Sequence, residues 1–76
     1  MTNNVKKMTP EQAAIYDEIE NAIIENGYPP SNVEMALALK CTAQNVNYHL
    51  QRMHQNGFIK NNPNIARGIK LLHRGE

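Results

Sequence analysis

Apolar positions along the chain form three helical stripes followed by two short alternating runs. Ile15, Ile19, Ala22 and Ile23 recur at three- and four-residue steps, which predicts a first helix with one buried face. Thr9 reads as its N-cap, with Pro10 at the first helical position and Gln12 placed to close a capping box. Asn26-Gly27 ends it, since glycine takes the left-handed conformation without steric cost. Tyr28-Pro29-Pro30 predicts an extended connector, because each proline drives the preceding residue out of the helical region. Ser31 and Glu34 form a second capping box, ahead of a short helix with Val33 near its start. Met35, Ala36 and Leu39 share one face of that helix, which closes around Lys40-Cys41. Thr42 caps a third helix whose stripe is Val46, Leu50 and Met53, and Gly57 stops it.

After Gly57 the period changes. Phe58-Ile59-Lys60 and Ile69-Lys70-Leu71 read as short strands, and the turn-forming residues from Asn61 to Gly68 join them into a hairpin. Two helices across a tight turn, followed by such a hairpin, make a three-helix winged helix-turn-helix, mainly α with a small β-hairpin. The expected organisation is a flexible arm over residues 1–8, one domain over 9–72 and a tail over 73–76. Internal repeats and inter-domain linkers are not evident in the sequence.

The third helix changes the picture from fold to function. At 100° per residue, Gln44, Tyr48, Gln51 and Gln55 fall opposite the apolar stripe, flanked by Asn45, Asn47 and Arg52. Amides, a phenol and a guanidinium make up this face, and no carboxylate does. Amides and guanidinium groups pair bidentately with adenine and guanine edges in a major groove. A helix face with no task beyond solvation usually mixes Glu with Lys.

The net charge of +1 across 76 residues hides a division. Residues 1–34 hold two lysines against six carboxylates, a balance of −4, and residues 35–76 hold six cations against Glu76, a balance of +5. The basic half contains the amide-rich helix, an asymmetry that points to nucleic acid. So short a chain makes one small domain with little room for a deep enzyme pocket. The single cysteine, Cys41, closes no internal disulfide and fits a reducing compartment. No run reaches transmembrane length and the N-terminus lacks a signal-peptide core, so a soluble, cytoplasmic protein is expected.

The sequence resembles the N-terminal DNA-binding domain of LexA, the bacterial SOS repressor, over roughly residues 9 to 72. The resemblance is carried by Thr9-Pro10-Glu11-Gln12, Gly27-Tyr28-Pro29-Pro30-Ser31, Glu34-Met35-Ala36 with Leu39, His49-Leu50, and Asn56-Gly57-Phe58-Ile59. The run Ala66-Arg67-Gly68-Ile69-Lys70-Leu71-Leu72 is its most distinctive piece. The resemblance implies that the helix starting near Thr42 enters the major groove and that the wing touches backbone or minor groove beside it. It places Ala43, Gln44, Asn45, Asn47 and Tyr48 at the base-reading positions. The turn at Lys40-Cys41-Thr42 is one residue shorter than in LexA and the base-reading side chains differ, so another operator is expected. LexA also has a self-cleaving, dimerising C-terminal domain, and no Ser–Lys protease half occurs here. A stand-alone repressor of the kind carried by phages or mobile elements, or an excised domain, is the expectation.

Candidate backbone contacts are Ser31, Thr42, Gln51, Arg52, Lys60, Arg67 and Lys70, which position a protein on DNA without reading sequence. Thr42 and Ser31 sit at helix N-termini, where exposed amide hydrogens attract phosphate. His49 and His54 lie roughly 140° apart around one helix and cannot share a metal from one face. Neither a metal, a cofactor nor a catalytic group is expected, and the chain is read as a non-enzyme. The expected partner is double-stranded DNA, bound by a homodimer or two cooperating copies and not at a membrane. The alternative is a winged-helix protein-interaction module, such as an antirepressor or co-regulator. RNA ranks third, for want of an aromatic stacking platform.

Overall fold

The computed structural model describes residues 7–62 and 68–73. Three helices, α1 (Pro10–Asn26), α2 (Asn32–Leu39) and α3 (Ala43–Gln55), precede two strands, β1 (Ile59–Asn61) and β2 (Ile69–Leu71). This is the winged helix-turn-helix that the periodicity predicts.

Local chemistry sets each helix start. Thr9 Oγ1 accepts from the Gln12 amide at 3.2 Å while Gln12 Oε1 accepts from the Thr9 amide at 3.2 Å. Ser31 and Glu34 repeat the exchange at 3.1 and 2.9 Å, and Thr42 Oγ1 accepts from the Asn45 amide at 3.0 Å. All three predicted caps are therefore in place, each satisfying an amide that the first turn leaves without a partner. The box on α1 also explains why the polar Gln12 is buried.

The helix ends show one feature the sequence did not suggest. Gly27 terminates α1 in the left-handed region, as expected, but α2 ends on Lys40 in that conformation, at φ 59°. The Lys40 and Cys41 amides both return to the Ala36 carbonyl, which closes the helix and turns the chain sharply into α3. An L-residue held there costs about 1–2 kcal/mol. Lys40→Gly is accordingly expected to raise stability by about 0.5–1 kcal/mol in urea unfolding, the gain being reduced by glycine's freedom in the unfolded chain.

At the end of α3 the Gly57 amide bonds the His54 carbonyl and the Phe58 amide bonds the Met53 carbonyl. With Gly57 left-handed at φ 86°, this is a Schellman motif, and Phe58 and Met53 supply its apolar contact in the core. Phe58 thereby belongs to the turn, so β1 begins one residue later than the sequence suggests. The strands pair antiparallel with Ile59 opposite Leu71, Lys60 opposite Lys70 and Asn61 opposite Ile69.

The core unites all five elements: Ile15, Tyr16 and Ile19 of α1, Met35 and Ala36 of α2, Val46, Leu50 and Met53 of α3, then Phe58, Ile59 and Ile69. Ile23 and Leu39, also predicted to face inward, are partly buried against it. Met8 packs there too and Lys7 forms an isolated β-bridge, so the last two residues assigned to the arm touch the fold. His73 stacks edge-on against Phe58 with ring centroids 5.5 Å apart.

Candidate nucleic-acid interface

With Val46, Leu50 and Met53 fully buried, the rest of α3 has its orientation fixed. Gln44, Asn45, Asn47, Tyr48, Gln51, Arg52, His54 and Gln55 are all exposed. Gln44, Asn47 and Tyr48 stand three and four residues apart, so they share one face. Tyr48 is 56% exposed and leans edge-on against His49 at 5.3 Å between ring centroids. Ala43 stands apart from this group. It is half-buried and packs against the core, so what it can offer a ligand is close backbone approach rather than a side chain.

The two helix N-termini assigned to phosphate differ. Glu34 lies in the first turn of α2 and its carboxylate accepts from the Ser31 amide, so a negative charge already sits on the positive end of that helix. The first turn of α3 has no acidic residue. Its N-terminus keeps its attraction for an anion. The Thr42 oxygen accepts from the Asn45 amide. Ser31 is half-buried and Thr42 exposed.

Beyond α3, Lys60 and Lys70 are exposed and directly paired across the hairpin. Their side chains therefore leave the same face of the wing, while Ile59 and Ile69, on the opposite face, are buried. Arg67 lies outside the described residues. A groove of about 310 Å³ runs between α3 and β1, lined by Asn47, Gln51, His54, Gln55 and Asn61. His54 and Asn61 were not singled out for this surface by the sequence. His54 Nδ1 accepts a 3.1 Å hydrogen bond from the Asn61 amide, a contact between separate elements that no periodicity reveals. Among the described residues no group of three or more His, Cys, Asp or Glu is placed to hold a metal ion, and no helix is long and apolar enough to cross a membrane.

A capped third helix with a carboxylate-free exposed face, beside a wing that carries two lysines, defines a winged helix-turn-helix domain. The family described as LexA DNA binding domain matches residues 5–68, and the chain belongs to that family. It is similar to the LexA repressor of Thermosipho melanesiensis, with 36% identity over 72 residues, 95% of this chain and 36% of that protein. Against the LexA repressor of Shewanella frigidimarina the identity is 40% over 68 residues, covering 88% and 33%. Against that of Staphylococcus haemolyticus it is 33% over 69 residues, covering 90% and 33%. The chain spans about a third of the length of the curated relatives it matches.

Proposed function

We propose that this chain is a sequence-specific, double-stranded-DNA-binding regulator that represses transcription by occupying its site. The observation that carries the reading is the free amide face of α3: Gln44, Asn45, Asn47 and Tyr48 remain exposed while the opposite stripe closes the core. In this role α3 lies in the major groove, and Gln44 and Asn47 pair with base edges, adenine N6 and N7 being the natural match for an amide. Asn45 and Tyr48 read or stack beside them. Ala43 and the α3 N-terminus approach the backbone, with the Thr42 hydroxyl donating to a phosphate. Gln51, Arg52, Lys60, Lys70 and Arg67 hold the flanking backbone, and Ser31 is the weakest of the backbone contacts because Glu34 shares its helix end.

One such domain offers few contacts. Two copies on half-sites about one helical turn apart supply the specificity a regulator needs. The role is regulatory rather than catalytic, and its place is where the DNA is, in the cytoplasm or nucleoid.

Selection of bound fragments from a random duplex pool, read at two salt concentrations, tests this function. The expected result is an enriched motif, with log affinity falling linearly against log salt by roughly 0.9 per phosphate contacted. Lys60→Ala is expected to weaken binding to every duplex alike and to reduce that slope by about 1. A pool with no enriched motif and a flat salt response overturns the proposal in favour of a protein-docking winged helix.

A further inference from the structure

The wing's first strand carries a backbone donor that the hairpin cannot use. The Asn62 amide bonds the Gly68 carbonyl at 2.8 Å and the Leu72 amide bonds the Phe58 carbonyl at 2.9 Å. In an antiparallel ladder the inward-bonded positions alternate, so Asn61 points its N–H away from β2, across the open edge. Such edge donors ordinarily go to water. Here His54 Nδ1, from the last turn of α3, takes it at 3.1 Å. Accepting at Nδ1 puts the neutral ring's hydrogen on Nε2 and pins the imidazole. Both partners line the groove that Asn47, Gln51 and Gln55 of α3 also line.

We propose that His54 is a positioning residue that fixes the wing against the reading helix, so that Lys60 and the α3 amides meet one duplex in register. The inference rests on the DNA-binding reading for its purpose, but the anchor is separately measurable. The hairpin has three residues in each strand, too few to hold its own angle. Burial of Ile59 and Ile69 secures its base. His54 secures β1 at Asn61, next to the Lys60 cation and on the side facing α3. No base or phosphate contact by His54 is required, since its effect passes through the wing.

Three substitutions separate the two ring nitrogens. The Oδ1 of His54→Asn stands near the Nδ1 position and keeps the acceptor. His54→Gln reaches the Nε2 position and loses it, and His54→Ala loses both. His54 is exposed, so all three variants leave the core intact. In ¹⁵N-labelled free protein, Asn61 amide exchange is expected to stay slow in the Asn variant and to quicken roughly fivefold in the Gln and Ala variants. On the duplex selected above, the Asn variant binds within about twofold of the unaltered chain, and Gln and Ala weaken roughly fivefold. In His54→Ala the further loss on Lys60→Ala shrinks, because a displaced wing no longer brings that lysine to the backbone. Asn61 exchange indifferent to residue 54 overturns the proposal, as does a Gln variant that binds like the unaltered chain while the Asn variant weakens. An unaltered chain that bound no duplex would instead overturn the proposed function, with Asn61 exchange still deciding the anchor.

Discussion

Phe58→Ala is expected to lower stability by about 3–4 kcal/mol and the melting temperature by more than about 12 °C, followed by far-ultraviolet circular dichroism. Phe58 has no exposed surface. It occupies the corner where the Schellman turn redirects the chain from α3 into the wing, with His73 edge-on against its ring. Removing the ring opens a cavity beneath α3 and the wing, and a domain of this length has roughly 4–11 kcal/mol in all. DNA affinity should fall with the melting temperature and recover on cooling, since Phe58 itself faces no ligand.

Gln44→Ala and Asn47→Ala are expected to behave in the opposite way. Each should cost about 1–3 kcal/mol at the best site, roughly a 5- to 150-fold loss, and relax the sequence preference there. Both side chains are exposed and outside the core, so melting should move by less than about 0.5 kcal/mol equivalent. Binding to unrelated duplexes should hold, because the phosphate contacts proposed for the wing and Arg52 carry no sequence information. Competition titrations of selected against scrambled duplex check this. An equal loss on both would assign these amides to the backbone instead of the bases.

Much of this architecture was legible because it is local. The boxes at Thr9 and Ser31 and the cap at Thr42 each link residues three apart, within reach of a spacing argument. The α3 faces followed from period alone, since one buried stripe leaves the remaining positions one direction in which to point. What escaped depends on elements meeting in space. A lysine in the left-handed conformation at residue 40 carries no signature of its own and is imposed by the short path from α2 into α3. Phe58 looks like strand and is a turn residue, because its amide returns to Met53. Ala43 lies within the base-reading stretch implied by the family, yet it packs against the core. The His54–Asn61 bond joins residues seven apart through a turn that neither side chain announces.

Side-chain amide resonances of Gln44, Asn45 and Asn47, followed by ¹H–¹⁵N NMR as the selected duplex is added, test most directly whether the α3 face meets the bases. These signals should shift and slow in exchange with water, while those of Asn21 and Asn26 on the acidic first helix stay where they are. Unmoved α3 amides, with the shifts gathered on α1 or α2, would contradict the assignment of the reading face.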